Sequence, residues 1–245
     1  MLNKLLLTSG QDIPFEEGQL IIHPPSIQEI ALIGEHALFA GLQVINLSKD
    51  TVLAAEDKSV SENLSNFDIY MTVMKNREDS QQLVENIEML FSIIFPMYQT
   101  QLLPDRQLFI RQTEGGIETG YLDRDNFEIF KDYLQQIFCM KDLIGDSPNY
   151  DPGNERARQL AEKFQRARKK VAELNPDKEE RSIFQRISGV LAVGEQKDIN
   201  QIMNYTVFQL LDEYNRFVLK YDYDRWFSAK LAGAKDLKAP EQWTK

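Results

Sequence analysis

Only two residues, His23 and His36, could act as imidazole bases or metal ligands in this chain of 245 residues. Neither has a cysteine or carboxylate cluster beside it at metal-site spacing. The sequence also lacks the G-x-S-x-G, G-x-x-x-x-G-K-[ST], G-x-G-x-x-G and H-E-x-x-H motifs. We therefore interpret both histidines as ordinary residues near helix or strand ends. We predict a protein that is not an enzyme, with no catalytic, cofactor-binding or metal-binding residue; the alternative is an enzyme whose pocket gathers His23 or His36 with several carboxylates.

Two aspartate pairs, Asp123 with Asp125 and Asp222 with Asp224, have the spacing of the first two ligands of a calcium loop. Such a loop also needs a glycine at position six and a glutamate at position twelve, and neither pair has them. Asp222 and Asp224 moreover lie within a helical pattern, where their side chains project in different directions. We interpret all four as solvated carboxylates.

Charge argues against nucleic acids and membranes as partners. The chain has 28 basic and 38 acidic residues, for a net charge of −10, whereas nucleic acids and anionic membranes bind basic surfaces. One basic concentration, Arg156–Lys170, could meet an acidic partner or RNA, but it has few aromatic residues to stack on bases. A solvated helix face is the interpretation we favour.

The remaining composition is that of a cytoplasmic protein. Cys139 is the only cysteine, so no internal disulfide can form. The first residues lack the length and cleavage site of a signal peptide. The most apolar run, Met89–Met97, is shorter than the ~20 residues that span a bilayer, so we predict a buried helix there.

The longest helical pattern runs from Asn200 to Gly233, and we predict one long C-terminal helix of roughly 50 Å at ~1.5 Å per residue. Its apolar residues recur every three or four positions, which places them on one face. Trp226, Phe227 and Leu231 continue the apolar character but rotate it around the helix. The residues of the regular face are Val207, Leu210, Leu211, Tyr214, Phe217, Val218 and Tyr221.

The N-terminal part is predicted to begin extended and then become helical. Residues 1–25 are predicted to be extended, with a short strand at Leu20–Ile22. Ser26 and Glu29 have the spacing of a capping box, so a helix should begin there and break at Gly34. A second short helix, Glu35–Val44, should close near Gly41.

Further along, Ser61–Phe95 is predicted to be a helical hairpin. Gln107–Gln112 and Ile117–Leu122 flank a Gly-Gly turn and predict a β-hairpin. Asp123 or Asp125 should cap the next helix, Asn126–Leu143. A charged helix is predicted to begin at Asp151-Pro152 and to run to about Leu174, and Glu179–Val193 is predicted to be a further helix.

These patterns predict a mainly α fold: a helical bundle with a small β-hairpin and a short N-terminal extended segment. The turn-rich segment 146–153 suggests a domain boundary. Residues 1–145 would form a helical domain with a small β element, and 151–245 a helical domain with the long C-terminal helix. One continuous domain remains the alternative.

Aromatic and apolar residues near the C-terminus are the candidate partner-binding residues. Packing in the core is the simpler interpretation. The functional one is a surface that grips a helix of another protein, since aromatic anchors carry much of the energy of such contacts. The candidates are Phe217, Tyr221, Trp226, Phe227, Leu231 and Trp243.

Two segments together resemble a known family. The first is IIHPPSIQEIALIGEHALF at residues 21–39, and the second is QIMNYTVFQLLDEYNRFVLKYDYDRWFSAKLAGAKDLKAPEQWTK at residues 201–245. A strand and His-Pro-Pro kink before a helix, combined with an aromatic helix running into A-K-L-A-G-A-K-D, resembles the tail assembly chaperones of Gram-positive bacteriophages. The segments cover about a quarter of the chain.

The resemblance implies a non-enzymatic protein of the host bacterial cytoplasm, encoded near the tape-measure gene. Such chaperones coat the long helical tape-measure protein, keep it soluble and recruit tail tube subunits to it. Many also exist in a longer frameshifted form, and a homo-oligomer is possible. The resemblance supplies no catalytic residues. A structural tail or head–tail joining protein of the phage particle is the alternative function.

Overall fold

The computed structural model describes residues 2–47, 64–75, 81–140 and 182–235. The helices in these ranges are α1 Lys4–Ser9, α2 Ile27–Ile33, α3 Glu35–Ile45, α4 Asn66–Lys75, α5 Gln81–Ile94, α6 Phe127–Ile137, α7 Ile183–Gly194, α8 Ile199–Met203 and α9 Val207–Leu231. The strands are β1 Ile13–Phe15, β2 Leu20–Ile22, β3 Gln99–Leu102, β4 Gln107–Thr113 and β5 Gly116–Leu122, with a 3-10 turn at Glu16–Gly18.

The fold is mixed α and β, so the predicted mainly α helical bundle is wrong. Strands β1 and β2 form a two-stranded antiparallel sheet. Strands β3, β4 and β5 form a second antiparallel sheet in that order. The prediction of the hairpin itself is confirmed, because β4 and β5 pair across the Glu114-Gly115 turn.

The third strand of the larger sheet has no hydrophobic alternation to reveal it. β3 reads Gln-Thr-Gln-Leu, and all four residues are exposed. It is a strand because its backbone pairs with β4, from Gln99 opposite Ile110 to Leu102 opposite Gln107. A pattern-based prediction depends on one buried face, and this strand does not have one.

The N-terminal segment is only partly extended. The side chain of Asn3 accepts a hydrogen bond from the Leu5 N–H at 2.9 Å and so caps α1, which ends at Gly10 in a left-handed conformation (φ +67°). The prediction of extended structure is wrong for α1. The predicted strand Leu20–Ile22 is confirmed, and it pairs with β1.

Helices α2 and α3 meet at Gly34, as predicted. The capping box is present, since Ser26 Oγ accepts the Glu29 N–H and the Glu29 carboxylate accepts the Ser26 N–H. The prediction that α3 ends near Gly41 is wrong. Gly41 lies where α3 crosses α5, and a Cβ there would lie 2.7 Å from the Asn86 carbonyl oxygen. The glycine therefore serves close helix packing rather than termination.

The core is rich in aromatic side chains that join α5, the larger sheet and α6. The Phe95 ring lies 4.7 Å from that of Phe109 and stacks on that of Phe130 at 5.9 Å. Buried residues of α7 and α9, among them Leu191 and Leu210, belong to the same hydrophobic cluster. The division into two domains stays a prediction, because segment 146–153 lies outside the described residues.

The predicted helix Asn200–Gly233 is two helices, α8 and α9, separated by a turn before Thr206. The prediction Glu179–Val193 corresponds to α7, which begins after a Ser182 cap. Among the described residues, no helix is long and apolar enough to cross a membrane. Besides segment 146–153, the features outside those residues include Arg156–Lys170, Ser61 and Trp243.

Candidate partner-binding surface

The beginning of α9 is fixed by a capping box that uses its own side chains. Thr206 Oγ1 accepts the Gln209 N–H, and Gln209 Oε1 accepts the Thr206 N–H at 2.9 Å. The Gln209 side-chain amide also donates to the Thr8 carbonyl oxygen at 2.8 Å. Lys197 forms an ion pair with Glu213, which ties the loop before α8 to α9. These contacts set the direction in which α9 leaves the body.

The same helix start is joined to the start of α2. Ser26 and Thr206 form an antiparallel β-bridge, and the Ile27 N–H donates to the Tyr205 carbonyl oxygen at 2.9 Å. Two capping boxes therefore lie side by side, one for each helix. Residues far apart in the chain share this junction, which we call the α2–α9 junction (Ser26, Ile27, Tyr205 and Thr206).

The inner half of α9, residues 207–219, packs on the body. Val207, Leu210 and Leu211 are buried. Phe217 is half-buried and packs against the core and Gly194, where a Cβ would lie 2.5 Å from the Phe217 ring. Phe217 is therefore an anchor of the helix to the body.

The outer half of α9, residues 220–231, exposes most of its apolar side chains. Tyr221 is 54% exposed, Phe227 49% and Leu231 74%. Trp226 and Tyr223 are half-buried. The described part of the chain offers no hydrogen-bond partner to the buried Trp226 Nε1. Five of the six candidates thus lie on one helix, four of them on its outer half.

The aromatic side chains of α9 contact one another along the helix. Tyr221 stacks on Phe217 at 6.3 Å between ring centroids, and Tyr223 stacks on Phe227 at 6.4 Å. The Arg225 guanidinium lies 5.6 Å from the centre of the Tyr221 ring. Ring stacking along the helix reduces the side-chain freedom that a partner would otherwise have to remove on binding.

Charge on the outer half is nearly balanced although the whole chain is acidic. The outer half contains three basic and two acidic residues, whereas the whole chain has a net charge of −10. The acidic residues are Asp222 and Asp224, which are exposed within the helix and so are placed as the sequence predicts. The basic residues are Lys220, Arg225 and Lys230. This surface is suited to contact through apolar and aromatic groups.

Elsewhere, the structure gathers His23 with two carboxylates, which the sequence analysis missed. His23 Nδ1 lies 2.7 Å from Asp12 Oδ1, and Nε2 lies 3.3 Å from both oxygens of Glu29. Burial alone would lower the pKa of His23, but the hydrogen bonds and charges of Asp12 and Glu29 outweigh it, so the pKa is raised. His36 is exposed on α3 and lies apart from this cluster.

Two clefts of about 360 and 540 Å³ lie elsewhere on the surface. The first lies between α5 and β3, and the second between α4 and the Asp123–Asp125 loop. Neither is lined by His23 or His36. In the described ranges, no group of three or more His, Cys, Asp or Glu side chains is placed to hold a metal ion. The Asp123 carboxylate instead accepts the N–H groups of Asp125 and Asn126 in the turn that precedes α6.

Comparison with known proteins places the C-terminal part of the chain in a phage context. Residues 176–245 match the family model described as the YomV second domain. That family is phage-derived, and the match supports a phage protein. It covers less than a third of the chain, including α7, α8 and the whole of α9. No curated protein and no solved structure matches the chain.

Proposed function

We propose that this chain is a phage tail assembly chaperone that binds the tape-measure protein and helps recruit tail tube subunits to it. The observation that carries the proposal is the aromatic, exposed outer half of α9, which lies within the phage-derived match. The proposed contact surface consists of Tyr221, Phe227 and Leu231, with Trp226 beside them. Phe217, on the inner half of α9, packs against the body and stacks on Tyr221.

The placement of the two segments that resemble tail assembly chaperones supports this proposal. Residues 21–39 include β2, α2 and the beginning of α3, and residues 201–245 include α9. Although far apart in sequence, the segments touch at the α2–α9 junction. Together they form the base from which the outer half of α9 extends.

The physical demands of the proposed task also agree with this surface. A tape-measure protein presents long apolar helical stripes until the tube encloses it. A chaperone must cover these stripes and later release them, which favours a limited set of aromatic anchors over a large apolar interface. An exposed helix carrying aromatic side chains can pack beside another amphipathic helix.

Co-expression with the cognate tape-measure protein tests the proposal. We expect the chain to increase the soluble fraction of the tape-measure protein and to co-purify with it. An unrelated acidic protein of similar size serves as the control for a general effect of expression. No increase in solubility together with no co-purification would exclude the chaperone function.

Analysis of finished particles separates this function from a structural one. A chaperone that acts during assembly is expected to be absent from purified particles or present in traces. Mass spectrometry that finds the chain in stoichiometric amounts would instead assign it to the tail or to the head–tail joint. Both outcomes keep the chain within a phage role and differ in what it does there.

A further inference from the structure

Three segments of the chain meet at His23. Asp12 precedes β1, His23 follows β2, and Glu29 lies in the first turn of α2. Each nitrogen of the imidazole faces a different carboxylate, at 2.7 Å for Asp12 and 3.3 Å for Glu29. The side chain of His23 is 30% exposed, so protons can exchange with solvent.

Glu29 connects this cluster to the base of α9. Its Oε2 accepts hydrogen bonds from both the N–H and the hydroxyl of Ser26, each at 2.7 Å. Ser26 forms the β-bridge with Thr206, the cap of α9. The carboxylate that faces His23 is therefore hydrogen-bonded directly to Ser26, a residue of the α2–α9 junction.

The protonation state of His23 decides how many of its contacts are favourable. Only the imidazolium carries a hydrogen on both nitrogens and can donate to both carboxylates. A neutral ring must turn a lone pair toward one of them. The longer contact, from Nε2 to Glu29, is the one we expect to be lost, because Asp12 holds Nδ1 at the shorter distance.

Neighbouring elements supply the remaining charges and dipoles. Arg111 on β4 lies close enough to Asp12 to interact with its charge, and Arg111 also pairs with Glu118 on β5. The residue at the end of α5, Ile94, contributes its carbonyl oxygen, which accepts a hydrogen bond from the backbone N–H of His23 at 2.9 Å. The segment before α9 contributes the uncharged Tyr205 and Thr206 at the junction.

We propose that His23 is a proton-controlled latch: its imidazolium joins Asp12 to Glu29 and thereby tightens the α2–α9 junction, and loss of the proton loosens it. The direction follows from linkage. The pKa of His23 is raised above its ordinary value of 6.5. The stabilising contribution is therefore complete below that value and is lost as the pH rises through the pKa of the folded protein. The latch would set how firmly the beginning of α9 is held to the beginning of α2.

Hydrogen exchange of one amide reports on the junction. The Ile27 N–H, bonded to the Tyr205 carbonyl, should lose protection as the pH rises from about 5.5 to about 8.5, after correction for intrinsic exchange. The Phe130 N–H, bonded to the carbonyl oxygen of Asn126 at the start of α6, is the reference and should keep its protection. In His23→Gln, protection of the Ile27 N–H should no longer depend on pH. His36→Gln should behave as the wild type.

Titration by NMR provides a second measurement that needs no folded His23 variant. The chain has only two histidines, so their signals can be assigned by His36→Gln. The pKa of His23 should lie above 6.5, and both Asp12→Asn and Glu29→Gln should lower it. A pKa of His23 at or below the ordinary value would overturn the proposal. So would protection at Ile27 that follows the reference amide across the pH range.

Discussion

Gly41 shows how a single residue determines the packing of two helices. It lies within α3, and a Cβ at this position would lie 2.7 Å from the Asn86 carbonyl oxygen and 2.9 Å from the Leu90 Cβ of α5. Gly189 in α7 provides a matched comparison, because nothing lies within 4 Å of its Cβ position. The same substitution therefore has opposite consequences in the two helices.

We expect Gly41→Ala to lower the free energy of unfolding by about 1–3 kcal/mol, since α3 and α5 must separate to admit the methyl group. Gly189→Ala should instead raise it by about 0.5–1 kcal/mol through helix propensity. Urea denaturation of both variants measures the two effects. Equal changes in the two variants would show that α3 and α5 do not pack this closely.

Trp226 is half-buried, so it fits neither core packing alone nor partner binding alone, the two interpretations that the sequence left open. A fully buried tryptophan would cost about 3–5 kcal/mol on truncation to alanine, whereas an exposed one would change binding alone. Truncation of the half-buried Trp226 should weaken binding and also lower the stability, by less than truncation of a fully buried tryptophan would. The test for Trp226→Ala is thermal melting together with a binding assay, and a variant unchanged in both would remove Trp226 from the surface.

At the scale of elements, the two halves of α9 differ in their packing. Its inner half is held by the core and by Gly194, and its outer half is exposed. We expect Phe217→Ala to lower the free energy of unfolding by about 1–3 kcal/mol, as fits a half-buried ring. Phe227→Ala should change it by less than about 0.5 kcal/mol. Thermal melting compares them, and an equal loss would show that the outer half also packs on the body.

Helix α4 begins with a charge-dependent cap. The Asp68 carboxylate accepts hydrogen bonds from the Ser65 N–H and hydroxyl, and Arg124 Nη2 donates to it at 2.7 Å. Burial alone would raise the pKa of Asp68, but these hydrogen bonds and the Arg124 charge outweigh it, so the pKa is lowered. The cap therefore contributes stability above the ordinary value of 3.8, which is lost as the pH falls through the lowered pKa.

This linkage predicts a weaker acid dependence in Asp68→Asn. Urea denaturation between about pH 5 and about pH 2.5 should show a smaller loss of stability in the variant than in the wild type. Asp222→Asn, at an exposed site on α9, is the control and should retain the wild-type slope. Identical slopes for all three proteins would mean that the cap of α4 does not depend on the Asp68 charge.

Elements with a local signal were predictable from sequence. The Ser26–Glu29 cap, the apolar repeat of α5 and the β4–β5 hairpin depend on residues within a few positions of each other. The break between α8 and α9 also had a signal, because Thr206 and Gln209 have capping-box spacing. It was missed because the apolar pattern continues across the break.

Other features depend on partners distant in the chain and could not be read from local patterns. β3 exists through its pairing with β4, and Gly41 is explained only by α5. The cluster of His23, Asp12 and Glu29 joins three segments. Of the candidate site, the sequence identified the residue types; exposure along α9, which separates Phe217 from Phe227, comes from the packing.

At the scale of the whole molecule, an acidic body carries an aromatic helix whose outer half has nearly balanced charge. We expect binding through this surface to depend little on ionic strength, because apolar and aromatic contacts are screened less than ion pairs. Raising the salt from about 0.1 M to about 0.5 M should leave co-purification of the tape-measure protein nearly unchanged. A steep loss would assign the contact to charged residues instead.

The most direct measurement is recovery of the tape-measure protein by three forms of the chain. One is the wild type, and one carries Tyr221→Ser, Phe227→Ser and Leu231→Ser on the outer half of α9. The matched control carries serine at three other exposed apolar positions, Leu32, Met97 and Ile117. We predict equal recovery by the wild type and the control, and a loss of at least about tenfold in the α9 variant. Equal recovery by all three forms, or none by the wild type, would contradict the account.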